Sequence, residues 1–301
     1  MGGCATARYL GIDIGGTKIQ CAYLRGDTVV ITAKLATPGS YEPLLAALAD
    51  IVAGASAATG EPVTHLGVGV PGTATVRQVT WTPNLPYLDG QPLANDLGER
   101  LGAEAMVGND AQFALLGEAW RGAASAYQNV ALVSVGTGVG GAIMMNGKIA
   151  RGNHGSAGAF GWLNLDLRAA PDPNHGYTEL HASGAALDAM AQALDPPRTS
   201  YEVVAEARAG DAVYAGLVDE LAKTLGAACA SIASILDPDV ILLSGGLTDA
   251  FDLLETPLRA SLHAYGSPSV RETPIVVGKL GRHAAAYGAL RAAMLQHAVW
   301  E

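Results

Sequence analysis

The chain has 301 residues, of which 50% are apolar and 15% charged, and its formal net charge is -10. The apolar content excludes a disordered chain, and the length allows one large domain or two. The acidic balance argues against a nucleic-acid groove or an anionic membrane surface as a partner.

Three widely spaced cysteines, Cys4, Cys21 and Cys229, form no C-x-x-C pair. Neither a disulfide framework nor a zinc knuckle is therefore indicated, and the sequence predicts a reduced, cytoplasmic protein. No apolar run reaches the roughly 18 residues that a membrane span needs.

The first half of the chain alternates strand and helix patterns. "YLGIDIGG" and "TKIQCAYL" have β-character and are joined by Gly15-Gly16, which predicts a hairpin. "YEPLLAALADIVAGASAA" predicts a helix, and "LGVGV", which runs into Pro71-Gly72, predicts a buried strand. "EAMVGND" predicts a short strand, and "DAQFALLGEAWRGAA" a helix that begins at Asn109 or Asp110.

The second half begins with a similar arrangement. "NVALVSV" predicts a strand, and "GAIMMNGKIA" predicts a hairpin that turns at Asn146-Gly147. The region from Arg151 to about Pro173 has little periodicity and is predicted as loops. The remaining predictions are three helices, "ASGAALDAMAQAL", "AVYAGLVDELAKTLGAACASIASIL" and "HAAAYGALRAAMLQHAV", and one buried strand, "VILLSGGL". A strand, a glycine turn and a second strand thus occur near residue 15 and again near residue 138, which suggests two related lobes.

Gly136, Gly138 and Gly141 have the G-x-G-x-x-G spacing of dinucleotide-binding loops. A Rossmann loop must lead into a helix, whereas "AIMMNGKIA" after Gly141 has the pattern of a strand and a turn. This argues against a nicotinamide-dependent oxidoreductase. A glycine-rich hairpin turn can still bind phosphate through its exposed N–H groups, and a tight turn without a ligand remains the alternative for either loop alone.

Four segments in order, "LGIDIGGTKIQCAYL", "GNDAQFALLGEA", "VSVGTGVGGAI" and "ILLSGGL", resemble the ROK family of sugar kinases. The resemblance covers nearly the whole chain. It implies the α/β, two-lobed actin/hexokinase-like (ribonuclease H-like) fold with the active site in the interlobe cleft. It also implies ATP and Mg²⁺ as cofactors. We expect a small lobe at residues 1–118 plus 285–301 and a large lobe at 119–284.

The resemblance also assigns roles to residues. Asp13 would hold the hydrated Mg²⁺ beside the ATP phosphates, and Gly245 and Gly246 would let the backbone pass close to the adenosine. The residues expected to approach the phosphates are Gly15, Gly16, Thr17, Lys18, Thr137 and Gly138.

Asp110 is the expected catalytic base, because a carboxylate near the acceptor hydroxyl can take its proton during attack on the γ-phosphate. Taken alone, Asn109 and Asp110 could simply cap a helix, with Gln112 completing a pattern that resembles a capping box. The family motif favours catalysis for Asp110, while Asn109 could both cap the helix and bind the sugar. Asn84 also matches a position near the sugar.

The chain departs from the family in its sugar- and zinc-binding stretches. Members that use glucose or N-acetylated hexoses usually carry G-E-x-G-H followed by C-x-C-G-x-x-G-C-x-E. Here Ala159 and Trp162 replace the Glu and His, and Ala170, Asp172 and Tyr177 stand at the cysteine positions. We therefore expect no zinc site. Trp162 could contact substrate or fill the volume of the lost zinc lobe, and Glu179 could bind substrate or merely begin a helix.

These observations predict an ATP-dependent kinase for a sugar or sugar-like polyol other than plain glucose. A C7 cyclitol of the valiolone type, an amino sugar or a ketose are the expected acceptors, since two of the three side chains that grip the sugar are replaced. The alternative is a degenerate ROK-type carbohydrate-binding protein without kinase activity. The family also implies a possible homodimer, while the net charge of -10 argues against a nucleic-acid or membrane partner.

Overall fold

A computed structural model describes residues 8–75 and 78–300, so Cys4 lies outside the described residues. These residues form two compact units. The first contains the described chain up to Ala126, the segment Lys148–Ala157 and the chain from Lys279 onward. The second contains Tyr127–Gly147 and Gly158–Gly278.

The described residues contain strands and helices in alternation. The strands are β1 Tyr9–Ile14, β2 Lys18–Arg25, β3 Thr28–Ile31, β4 Leu35–Ala36, β5 His65–Val70, β6 Thr73–Ala74, β7 Val79–Trp81, β8 Glu104–Asn109, β9 Val130–Val135, β10 Val139–Met145, β11 Lys148–Ile149, β12 Val240–Ser244 and β13 Ile275–Val277. The helices are α1 Tyr41–Thr59, α2 Leu93–Leu101, α3 Asp110–Arg121, α4 Tyr177–Ala182, α5 Gly184–Gln192, α6 Ser200–Arg208, α7 Ala212–Leu236, α8 Phe251–Tyr265 and α9 Ala284–Leu295.

The first unit is built on a mixed sheet with the order β3-β2-β1-β5-β8, and β4 also pairs with β2. Strands β1, β2 and β3 are antiparallel neighbours, whereas β1, β5 and β8 run parallel. The carboxyl ends of these three parallel strands therefore meet at one edge of the sheet, where ligands bind in open α/β sheets.

Each face of this sheet packs against different helices. Alternate residues of β1, among them Leu10 and Ile12, are fully buried in a core that includes Leu44 and Leu48 of α1. On the opposite face, a Cβ atom at Gly11 would overlap the backbone of Leu290 in α9, so only glycine allows this close approach. The result is a sheet covered on both sides, with its α9-facing side lined by glycine.

The second unit repeats this strand arrangement. Its strands have the order β10-β9-β12-β13, with β9 and β10 antiparallel and β9, β12 and β13 parallel. Its core joins β9 and β12 to the long helix α7 and to α8. The internal similarity that the sequence suggested is therefore present as an equivalent order and direction of strands.

Most predicted elements occur, with limits close to those expected. Helices α2, α6 and α8 were not predicted. The segment Lys148–Ala157 belongs to the first unit, although the sequence placed it in the large lobe. Two hydrogen bonds connect this segment to the first unit: Arg151 donates to the carbonyl of Val107, and Gln112 donates to the carbonyl of Gly155. The limits of the two lobes otherwise stay a prediction.

One helix among the described residues, α1, is long and apolar enough to cross a membrane by length and composition alone. Five of its residues, Leu44, Leu45, Leu48, Val52 and Ala55, are instead buried in the core of the first unit.

Candidate active site

Two carboxylates of the first unit stand at the carboxyl ends of β1 and β8, the two parallel strands that flank β5. Asp13 on β1 is the register partner of Gly69 on β5, which in turn pairs with Gly108 on β8. Asp110 follows Gly108 by two residues and is the first residue of α3. Because parallel strands end at the same edge, the fold brings these two predicted site residues together.

The start of helix α3 fixes the Asp110 side chain. Asn109 is the N-cap, and its Oδ1 accepts a hydrogen bond of 3.0 Å from the backbone N–H of Gln112. The Asn109 amide group donates to the carbonyl of Gly72 and, at 3.1 Å, to Oδ1 of Asp110. That Asp110 oxygen also accepts from the backbone N–H of Ala111 at 2.8 Å. The capping role of Asn109 is thus confirmed, and both its amide hydrogens are already used.

The environment raises the pKa of both carboxylates. Burial raises the pKa of Asp110 to about 6, against the opposing effect of hydrogen bonds from Ala111, from its own backbone N–H and from Asn109. Burial and then the charge of Asp110 raise the pKa of Asp13 to about 7, while Lys34 acts in the opposite direction. Two carboxylates that disfavour joint ionisation are typical of a site that receives a cation or transfers a proton.

The first glycine turn, between β1 and β2, leaves donors unused. Gly15 closes the turn by donating to the carbonyl of Lys18 at 2.9 Å. Thr37 fixes the turn from outside, since its hydroxyl donates to the carbonyl of Gly15 and its N–H to the carbonyl of Thr17. Within residues 8–75 and 78–300, the N–H groups of Gly16 and Thr17 donate to no other group. They are exposed and free to bind an anion.

Asn84 lies against this turn. A Cβ atom at Gly16 would be 3.1 Å from Cβ of Asn84, so the predicted acceptor-site residue and the predicted phosphate loop are in contact. The segment that carries Asn84 is held by Asp89, whose Oδ1 accepts from both the N–H and the hydroxyl of Thr82.

The second glycine turn, between β9 and β10, also leaves two N–H groups unused but is one residue tighter. Gly136 closes it by donating to the carbonyl of Gly138 at 2.9 Å. The carbonyls of Gly136 and Thr137 accept from the first two N–H groups of α5, Gly184 at 2.8 Å and Ala185 at 3.1 Å. In the described part of the chain, the N–H groups of Thr137 and Gly138 have no acceptor.

Glu179 contacts this second turn. It lies in the first turn of α4, as one of the two interpretations held, and its Oε2 accepts from the N–H of Val139 at 2.8 Å. The same carboxylate lies against Gly138, where a Cβ atom would be 2.9 Å from Cδ of Glu179.

The Gly245-Gly246 pair follows β12 and divides into two roles. Gly245 has φ of 92°, and a Cβ atom there would overlap the backbone of Val135. Its glycine is therefore required by the fold of the second unit. Gly246 has no heavy atom within 4 Å of the position a Cβ would take, so it leaves open space for a ligand such as adenosine.

Trp162 does not fill the volume of the lost zinc lobe, because 51% of its surface is exposed. That interpretation of the residue is wrong. The segment after it is organised by hydrogen bonds: Asp172 accepts from the backbone N–H groups of Asn174 and His175. Among the described residues there is no group of three or more His, Cys, Asp or Glu that could hold a metal ion.

Two site residues were not found from the sequence. Thr37 follows a two-residue strand and has no motif of its own, and Lys34 is an exposed lysine whose charge acts on Asp13. Lys18, the predicted lysine, is exposed at the start of β2.

The residues present are of the types that bind Mg²⁺ and a nucleoside triphosphate. Mg²⁺ is commonly bound by one or two carboxylates together with water and phosphate oxygens, and the buried carboxylate of Asp13 is a ligand of this kind. Each glycine turn offers two unused N–H groups, on Gly16 and Thr17 in the first unit and on Thr137 and Gly138 in the second, and phosphate oxygens accept from donors of this kind.

Comparison with known proteins places the chain in a family. The sequence profile of the ROK family matches residues 9–296. A glucokinase from Streptomyces coelicolor is 30% identical over 309 aligned positions, which cover 93% of this chain and 95% of the relative. An N-acetyl-D-glucosamine kinase from Pectobacterium atrosepticum is 31% identical, with coverage of 84% and 90%. The structure of a ROK family glucokinase from Streptomyces griseus, in complex with glucose and AMPPNP, has a TM-score of 0.76 at 29% identity and covers 96% of this chain and 99% of its own. The chain belongs to the ROK family and has the α/β, actin/hexokinase-like fold that its sequence predicts.

Proposed function

We propose that the chain is an ATP-dependent kinase that phosphorylates a hydroxyl of a sugar or sugar-like polyol. The observation that carries this proposal is Asp110, a carboxylate oriented by Ala111 and Asn109 at the carboxyl edge of the sheet. With a pKa of about 6 it is mostly ionised at neutral pH and can accept a proton. The kinase activities named for the relatives support the same reaction class.

In the proposed reaction, Asp110 accepts the proton of the acceptor hydroxyl as its oxygen bonds to the γ-phosphorus. The bond from that phosphorus to the β–γ bridging oxygen breaks, and ADP leaves. The unused N–H groups of the two glycine turns donate to the phosphate oxygens, and Asp13 would hold the hydrated Mg²⁺. Mg²⁺, when bound, supplies charge neutralisation of the phosphates. Catalysis of this kind depends on positioning and electrostatics.

We also propose that the acceptor differs from plain glucose. Ala159 is exposed and accepts no side-chain hydrogen bond, and Trp162 presents an exposed aromatic face. Such a face favours packing against the C–H groups of an acceptor over pairing with its hydroxyls. A C7 cyclitol of the valiolone type, an amino sugar and a ketose are the acceptors we favour. The proposed acceptor-site residues are Asn84, Trp162, Asn109 through the remaining lone pair of its Oδ1, and Glu179 through its other carboxylate oxygen.

The test is Mg·ATP-dependent ADP release with a panel of glucose, mannose, fructose, N-acetylhexosamines, amino sugars and C7 cyclitols. Asp110→Ala is expected to lose turnover, and Asp50→Ala, an exposed aspartate of α1, serves as the matched control. Turnover by Asp110→Ala at the wild-type rate would refute the mechanism. Preference for glucose or an N-acetylhexosamine would refute the altered acceptor. AMPPNP binding without turnover of any acceptor would favour the degenerate binding protein.

A further inference from the structure

Glu179 of the second unit makes a contact that its expected role as an acceptor-binding residue does not include. The sequence resemblance assigns it to the acceptor, yet its Oε2 is occupied by the N–H of Val139 at 2.8 Å. We propose that Glu179 is a positioning residue for the second glycine turn and thereby for the nucleotide. This inference rests on the proposed function in one respect only, namely that the turn binds the phosphates of ATP.

Glu179 provides a hydrogen bond to the second glycine turn that the backbone does not provide. The carbonyls of Gly136 and Thr137 are held by α5, and the N–H of Gly136 is held by Gly138. The N–H of Val139 is the next donor after the two unused ones, and Glu179 is its acceptor. By holding Val139, Glu179 sets the direction of the adjacent peptide and so the aim of the free N–H groups of Thr137 and Gly138.

Packing reinforces the hydrogen bond. The carboxylate of Glu179 rests on Gly138, where any side chain would overlap Oε2. Glycine at position 138 is therefore explained by Glu179, since φ at Gly138 is not in the left-handed region. Gly140, two residues further on in β10, has no heavy atom within 4 Å of its Cβ position and provides a matched control.

Removing the charge of Glu179 and removing its hydrogen bond have different expected effects on nucleotide binding. A carboxylate beside a phosphate-binding turn repels the phosphates, so a purely electrostatic role predicts tighter nucleotide binding when Glu179 is removed. A positioning role predicts weaker binding in Glu179→Ala and preserved or tighter binding in Glu179→Gln, whose amide oxygen can still accept from Val139. A contact made only to the acceptor predicts no change when acceptor is absent.

The first measurement is calorimetric titration with Mg·AMPPNP in the absence of any acceptor. We expect Glu179→Ala to weaken binding roughly tenfold, the order expected for the loss of one hydrogen bond to a charged group, with Glu179→Gln close to wild type. Gly138→Ala should also weaken binding, by displacing the carboxylate, and should add little in the Glu179→Ala background. Gly140→Ala should bind as wild type does. Unchanged or tighter binding by Glu179→Ala would overturn the proposal.

The second measurement needs no nucleotide. Hydrogen exchange at the Val139 amide should be slow in wild type and Glu179→Gln and fast in Glu179→Ala, with other amides of β10 unaffected. Equal protection in all three proteins would overturn the proposal even if binding changed. If Val139 behaves as expected but wild type does not bind Mg·AMPPNP, the proposed kinase function fails while the anchoring of the turn by Glu179 stands.

Discussion

Asp110→Asn should stabilise the protein while it removes the proposed catalytic base. Asparagine has nearly the same shape, and its Oδ1 can keep the hydrogen bond from Ala111. The substitution replaces the other carboxylate oxygen by an amide group and removes the charge, which burial disfavours in the folded state. We therefore expect turnover to fall by roughly a hundredfold or more, as for loss of a general base.

The size and pH dependence of the stabilisation follow from the pKa of Asp110. Folding raises this pKa from 3.8 to about 6, so the folded protein binds the proton more tightly than the unfolded chain does. The free energy of unfolding therefore falls as pH rises from about 4 through about 6, and above that range the folded protein bears the whole penalty. The ionisation of Asp110 therefore lowers the free energy of unfolding by roughly 3 kcal/mol at pH 8, and by much less near pH 4.

Urea unfolding of wild type and Asp110→Asn at pH 4.5 and pH 8, without nucleotide or Mg²⁺, measures this difference. Asp50→Asn, on the exposed face of α1, controls for the loss of one negative charge from an acidic protein. Asp110→Asn should be more stable than wild type by roughly 3 kcal/mol at pH 8 and by only roughly 1 kcal/mol at pH 4.5. If wild type and Asp110→Asn are equally stable at pH 8, or if the variant gains the same stability at both pH values, burial does not disfavour the ionised form of Asp110.

Four further predictions follow from other parts of the structure. The wild-type kcat/KM should rise with pH through about 6, because Asp110 must be ionised, and a pH-independent profile from 5 to 7 would contradict its role as base. The fully buried carboxylate of Glu118 accepts from the N–H groups of Ala123, Lys279 and Leu280. In urea titrations, Glu118→Ala should therefore lower the free energy of unfolding by roughly 3 kcal/mol or more, and Glu118→Gln should lower it by less. Gly288→Ala should destabilise the protein, because its Cβ would overlap the carbonyl of Phe113, whereas Gly54→Ala, at an exposed position of α1, should stabilise it by about 0.5–1 kcal/mol. The opposite order of melting temperatures would contradict the packing of α3 on α9. Addition of EDTA should leave the melting temperature of the nucleotide-free protein unchanged, and a clear decrease would reveal a structural metal.

Local patterns in the sequence were sufficient for the parts of the site that depend on neighbouring residues. The hairpin of β1 and β2 follows from alternating apolar residues around Gly15-Gly16, and Asn146 and Gly147 both adopt the positive φ that their hairpin turn predicts. The N-cap at Asn109 follows in the same way, since capping is decided within one helical turn.

The missed features depend on residues distant in sequence or on weak signals. Thr37 reaches Gly15 across 22 residues, and Glu179 reaches Val139 across 40, so no local pattern indicates either contact. Helix α6 had a usable signal, because Thr199 and Glu202 form a capping box. Helix α8 contains Pro257, a residue that argues against a helix interior.

Under the proposed function, the two glycine turns would allow an acidic chain to bind an anionic nucleotide. In each turn the first glycine donates its N–H to close the loop, and the next two N–H groups remain without an acceptor among the described residues. These donors are uncharged, so they attract phosphate without a basic patch and are compatible with a net charge of -10. The turns differ in what holds them, a neutral hydroxyl from Thr37 in the first and the carboxylate of Glu179 in the second. Because a negatively charged anchor beside phosphate is unfavourable, the proposed positioning role predicts that the direction of the turn's N–H groups contributes more to nucleotide binding than the charge of Glu179 does.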